Sequence, residues 1–185
     1  MKPFVLAFLV PVIGILSSPA AASAPLATLL IHRSDLRSGY TRNLAPGYTR
    51  ILNDANWNPA NRQLALHGYL GSYEGQFDVL GASRIALARV QEEGDRYRSP
   101  TGAHWGYLGT VNHSYPQVHH ITLPRVGDES ITFHLVLPQP PGHETLIVFR
   151  QGNYMVWIAG AGTADRSAAV LVMARLIDQR IRTQG

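Results

Sequence analysis

The stretch TLIVFRQGNYMVWIA, residues 145–159, holds two apolar runs of strand length, Thr145 to Phe149 and Tyr154 to Ala159, separated by Gln151-Gly152-Asn153. Glycine and asparagine accept the positive φ that a tight hairpin needs, so the segment reads as two antiparallel strands joined by a short turn. Neither run alternates apolar with polar residues. Strands apolar on both sides belong at the centre of a sheet that is covered on both faces.

Working outward, Ile131-Thr132-Phe133-His134-Leu135-Val136-Leu137 does alternate, with Ile131, Phe133, Leu135 and Leu137 on one face. It supplies a third strand, and Pro138 to Gly142 reads as a stiff loop to the next. Tyr69 to Val79, rich in aromatic residues and glycine, reads as extended. Arg84 to Glu93 contains helix-favouring Ala, Leu, Arg and Glu, with Ser83 and Gly94 placed to cap it. Its apolar residues gather on no single helical face, so it is assigned as a strand.

The covers are helices. In the closing segment Ala169, Val170, Met173, Leu176, Ile177 and Ile181 form one stripe at three-and-four spacing, with Arg175, Asp178, Gln179 and Arg182 elsewhere. Thr163 is expected to cap it, Asp165 to sit in its first turn, and Arg180 and Arg182 in its last, each favourable to the helix dipole. Met173, Leu176 and Ile177 are expected to face the strands at 145–149 and 154–159. Earlier helices are expected over Leu26 to Leu36, from Asn58-Pro59 to a stop at Gly68, and from Ser99-Pro100 through Ala103, Tyr107, Leu108 and Val111. Strands joined by hairpins, with helices before and after, make an α+β fold: a mostly antiparallel sheet with helices packed on it, the C-terminal helix covering the sheet.

The chain opens with Lys2, an apolar run from Phe4 to Ile15, and small residues up to Ala24. This is the pattern of a secretory signal peptide cut after Ala22 or Ala24. The run is too short to span a bilayer comfortably, and Pro11 interrupts it. The expected organisation is residues 1–24 as signal peptide and residues 25–185 as a single domain, with no membrane span after signal removal. There is no cysteine, which excludes disulfides, a lipid-modified cysteine, a thiol nucleophile and thiolate metal sites. Lys2 is the only lysine, so fifteen arginines stand against twelve carboxylates after it, a net charge near +3. Arginine in place of lysine reads first as the mark of a GC-rich genome and second as a preference for anions, which a guanidinium binds in a planar fork. The charges are scattered without a basic block, so no nucleic-acid partner is expected.

Four segments carry a resemblance: LHGYLGSYEGQFD at 66–78, RVGDESITFHL at 125–135, LIVFRQGNYMVWIAGAG at 146–162 and ARLIDQRI at 174–181. A Gly-Tyr strand, a Gly-Asp-Glu turn before a strand, and an Arg-x-Gly-Asn hairpin resemble a group of secreted bacterial proteins of unknown function. Their layout is similar to the PsbP-like α/β-sandwich of small mycobacterial lipoproteins and extracellular sensor domains. The resemblance spans about residues 60 to 182. It implies a fold and an extracytoplasmic compartment, and no catalytic residues. The chain departs from the lipoproteins and from disulfide-bonded sensor domains in having no cysteine.

Gly39-Tyr40-Thr41-Arg42 recurs as Gly47-Tyr48-Thr49-Arg50. Turn chemistry is the first reading: Gly39 follows a helix, and Pro46-Gly47 is a turn dipeptide. The second is ligand binding by Tyr40, Arg42, Tyr48 and Arg50, because tyrosine and arginine suit anions and sugars. His113 to His120 is dense in metal-capable side chains, but the spacing from His113 to His119 is six with Pro116 between, and His119 and His120 point to opposite faces of a strand. No metal and no cofactor are expected. Gly160-Ala161-Gly162 lies where a dinucleotide fingerprint would, but Asp165 takes the place of the third glycine and would repel a phosphate, so it reads as a tight turn. Gly127-Asp128-Glu129 reads as a turn before the 131–137 strand rather than an acid/base pair, and no catalytic residue is assigned. The expected function is a secreted, non-enzymatic accessory or binding protein of the cell envelope, partnered by an envelope protein or an anionic or sugar ligand. The alternative is a small extracellular hydrolase whose residues converge only in space.

Overall fold

Two glycine conformations set the frame. Gly152 has φ +55 at the first central position of the turn from Gln151 to Tyr154, the positive φ that a two-residue hairpin of the II′ kind requires. Gly68, at φ +75, ends the helix Pro59–Leu66 and turns the chain into the strand Tyr69–Val79. The computed structural model describes residues 25–36, 40–42, 49–50, 59–79, 89–112, 119–138 and 141–185. The signal segment 1–24, Gly39, Pro46 to Tyr48, Asn58, residues 83–88 and His113 to Val118 lie outside them.

The described residues form helices α1 (Leu26–Leu29), α2 (Pro59–Leu66), α3 (Pro100–Asn112) and α4 (Ser167–Gln184) and a 3-10 turn at Arg33–Asp35. Their strands are β1 (Tyr40–Arg42), β2 (Thr49–Arg50), β3 (Tyr69–Val79), β4 (Arg89–Tyr97), β5 (His119–His120), β6 (Glu129–Pro138), β7 (Pro141–Gln151) and β8 (Tyr154–Gly162). These make one antiparallel sheet in the order β1-β3-β4-β8-β7-β6-β5, with β2 also on β3. The β7–β8 hairpin lies near the middle of the sheet, as its two-sided apolar character requires. The fold is α+β, with the C-terminal helix on the sheet.

Because strand side chains alternate, the two faces carry separate cores. On one, Phe77, Val90, Ile147, Phe149, Val156 and Ile158 pack against α4 through Val170, Met173, Ala174, Ile177 and Ile181. On the other, Tyr97, Phe133, Val148 and Met155 pack against Ala103 and Tyr107 of α3. Met173 and Ile177 are buried as expected, whereas Leu176 sits half-buried at the margin and Leu171 takes part instead.

Local differences from the sequence reading have identifiable causes. The helix expected over 26–36 stops at Leu29, because the Ile31 N–H donates to the fully buried Glu92 carboxylate on β4 (3.0 and 3.1 Å), which draws the backbone out of helix. Arg180 of α4 then fastens this segment, donating to both Asp35 oxygens (2.7 and 2.8 Å) and to the Leu30 carbonyl. Burial alone would raise the pKa of Asp35, but hydrogen bonds from Arg180 and from the His32 N–H, with the Arg180 charge, outweigh it and hold it low. Gly160 to Gly162 is not a turn but the end of β8, held by ladders to β4 and β7. Asp165 precedes α4 rather than joining its first turn, and accepts the Ser167 N–H at 2.9 Å. The strands flanking Pro138 to Gly142 run on until Pro138 faces Pro141, so the loop is shorter than read. The start of α3 is as expected: the Ser99 hydroxyl accepts the Gly102 N–H at 3.1 Å.

Candidate functional site

The sequence of α3 is PTGAHWGYLGTVN, with Gly102, Gly106 and Gly109 in thirteen residues. Each interior helical glycine costs about 0.5–1 kcal/mol relative to alanine, so each invites a reason. A Cβ on Gly102 would collide with the His67 carbonyl, and one on Gly106 with the Tyr97 phenol. These two glycines let α3 settle onto α2 and β4. A Cβ on Gly109 would meet nothing within 4 Å. Gly109 faces a cleft.

The cleft is a cavity of about 780 Å³ between α3, the end of α2 and the sheet face opposite α4. Its floor is Met155, Trp157 and Ala159 of β8, flanked by Gln91 and Asp95 of β4 and by Glu144 and Leu146 of β7. Phe133 and Leu135 of β6 close one side, and Trp105 and Thr110 of α3 overhang the floor. Trp105 stacks flat on His67, with ring centroids 3.9 Å apart. The Trp157 indole donates to Glu93 Oε2 at 3.0 Å, which fixes its ring. The Thr110 hydroxyl is turned onto the Gly106 carbonyl (3.1 Å). The polar atoms that would otherwise face the floor are thus partly engaged with the protein.

Two groups at the site are electrostatically displaced. Burial, then the neighbouring Asp95 carboxylate, pushes the Tyr97 hydroxyl well above the ordinary tyrosine range. Burial likewise raises the Glu144 carboxyl, with Arg89 offsetting part of the rise. Arg89 itself donates to Asp78 at 2.9 Å.

The paired motifs at the start of β6 and the end of β7 form a clamp at the edge of this face. Arg150 Nε donates to Glu129 Oε1 at 2.6 Å, and Arg150 Nη1 reaches Asp128 Oδ2 at 3.0 Å. Asp128 Oδ2 also accepts the Gly152 N–H at 2.9 Å, and the His104 ring of α3 meets Glu129 Oε1 at 2.9 Å. Burial would raise Glu129, but hydrogen bonds from Arg150 and His104 lower it. Gly-Asp-Glu and Arg-x-Gly-Asn are therefore one structural lock on the hairpin. Asp128 and Glu129 are held by it rather than placed as an acid/base pair.

Of the repeated Tyr-Thr-Arg segments, Tyr40 and Arg42 lie on β1 and Arg50 on β2, and Tyr48 is outside the described residues. Both strands pair with β3, at Phe77–Val79 and at Ser72–Tyr73, so the described parts of the repeat are edge strands rather than turns. His119 and His120 are exposed on β5. Among the described residues no three His, Asp or Glu side chains group to hold a metal. Sequence reasoning did not find the cleft. Its one legible signal was a glycine-rich helix whose apolar residues leave no stripe.

The sequence matches no protein-family model and no curated protein. Among solved structures, the chain is similar to the extracellular domain of PknH from Mycobacterium tuberculosis. The TM-score is 0.60 at 12% identity, over 85% of this chain and 95% of that domain. At that identity the likeness speaks to the fold.

Proposed function

We propose that this protein is an exported, non-catalytic binding module that holds a small ligand with an apolar body in the cleft beneath α3. The observation that carries the reading is the cavity itself. About 780 Å³ lies within the ~300–1,000 Å³ usual for small-molecule sites, and its lining is mainly aromatic and aliphatic with a few polar groups. The likeness to a domain that is extracellular in its own protein supports the compartment and a sensing or binding role. Among the described residues no helix is long and apolar enough to cross a membrane.

Export would remove residues 1–22 or 1–24, and mass spectrometry of secreted material should find a mature chain starting at Ser23 or Pro25. Secreted protein that still contains Phe4 would contradict this. The cleft is tested with N-phenyl-1-naphthylamine, a neutral apolar fluorophore. Its emission should rise on the wild-type protein, and Gly109→Leu should abolish the rise, because the new side chain enters open space in the cleft. An equal rise on both proteins would contradict the reading.

Tyr40, Arg42 and Arg50 on the β3 edge are proposed, together with Tyr48 outside the described residues, as a second, anion-binding place, supported by the pairing of both arginine-bearing strands with β3. Substituting both Arg42 and Arg50 by Gln should then reduce sulfated-sugar retention, and unchanged retention would remove the proposal.

A further inference from the structure

We infer that the cleft selects a ligand carrying a cationic nitrogen at one end of its apolar body, seated beside Glu144. This rests on the binding reading above and adds the charge of the ligand to it.

The charge of the cleft opposes that of the molecule. The chain is net basic, with fifteen arginines after Lys2. Yet among the described residues lining the cleft there is no arginine, lysine or histidine, and the ionisable carboxyls are Asp95 and Glu144. A ligand carboxylate or phosphate would enter without a counter-charge and facing two carboxyls. Desolvating it there would be costly.

The two carboxyls differ. Asp95 lies next to the Tyr97 hydroxyl at the β4 end. Glu144 lies at the other end, among Leu135, Leu146 and Ala159, and no hydrogen bond from a described residue reaches its carboxylate. Arg89, on the same row of the sheet, acts on Glu144 through its charge alone, because its Nε–H is donated to Asp78. A half-buried carboxylate in apolar company gains most from an arriving cation, because the ion pair relieves a desolvation that the fold has already imposed.

Length fits as well. Asp95 pairs with Met155 and Glu144 with Ala161, six residues apart along β8. At about 3.3 Å per residue the two carboxyls stand roughly 20 Å apart along the strand. A chain of about twelve carbons, at ~1.3 Å each, lies within that span with its head at Glu144.

The experiment compares three probes of one chain length below their micellar concentrations: dodecyltrimethylammonium, dodecanol and dodecanoate, by calorimetry on the mature protein. Dodecyltrimethylammonium should bind at least about tenfold more tightly than dodecanoate, an electrostatic preference worth one decade in Kd. Glu144→Gln should bring that ratio near one and leave dodecanol affinity unchanged, with an unaltered melting temperature reporting the fold. Dodecanoate binding as tightly as the ammonium, or a ratio untouched by Glu144→Gln, would overturn the inference while leaving the binding site in place. Failure of all three probes on wild-type protein, or equal binding to Gly109→Leu, would overturn the binding reading and this inference together.

Discussion

Gly106 and Gly109 stand one helical turn apart on α3 and have opposite reasons to be glycine. At Gly106 the absent Cβ is the space that the Tyr97 phenol fills. At Gly109 the space is open and belongs to the cleft. Gly106→Ala should therefore overpack a buried ring and lower stability by about 1–3 kcal/mol. Gly109→Ala meets no atom and gains helix propensity, so it should raise stability by about 0.5–1 kcal/mol. Denaturant unfolding of the two variants checks this, and losses of the same size in both would show that Gly109 packs like Gly106. On the proposed reading, a stabilising change left unused is what a binding cavity costs the helix that roofs it. The buried Glu92 is different in kind, since its carboxylate accepts the Ile31 N–H and anchors a neighbouring segment.

At the scale of elements, α4 is the principal cover of one sheet face, and the numbers of its residues decide which contacts matter. Ile177 is fully buried against the sheet, Leu176 lies half-buried at the edge of the same core, and Arg175 points to solvent. Ile177→Ala should cost about 2–5 kcal/mol, Leu176→Ala clearly less, and Arg175→Ala within about 0.5 kcal/mol. Chemical denaturation of the three orders them, and an Arg175→Ala loss equal to that of Ile177→Ala would mean that the helix is rotated. Much of this was legible in the sequence. The continuous apolar runs at 145–149 and 154–159 named the sheet centre, the stripe of α4 named its cover, and Ser99-Pro100 and Gly68 marked helix ends. What was not legible depended on partners distant in sequence. Leu26 to Leu36 has helical spacing, and only a carboxylate sixty-one residues away, Glu92, interrupts it. Gly160 to Gly162 has turn composition, and the strands on either side hold it extended. The cleft was hidden for the same reason, because Gln91, Asp95, Glu144 and Trp157 come together only once β4, β8 and β7 are in register. Alternation alone places them on one face; it does not say that α3 will stand off from that face where Gly109 is.

Across the whole molecule, the sheet separates two unlike halves. The α4 side is closed: aliphatic packing fills it, and the Arg180–Asp35 fork and the Glu92 carboxylate tie down the N-terminal segment. The α3 side is clamped at one end by Arg150, Asp128, Glu129 and His104 and left open beside Gly109. A rigid back and a roofed front suit a module that presents a preformed site and keeps its shape when the site fills. The central claim is that the front cleft, rather than the back core or an edge, receives the ligand. Methyl-resolved NMR during titration with dodecyltrimethylammonium tests it most directly, because the two faces carry separate sets of methyl groups. The account predicts shifts at Leu135, Leu146, Met155 and Ala159, with Val170, Ile177 and Ile181 unmoved. Shifts centred on Val170, Ile177 and Ile181, or spread evenly over both sets, would contradict it.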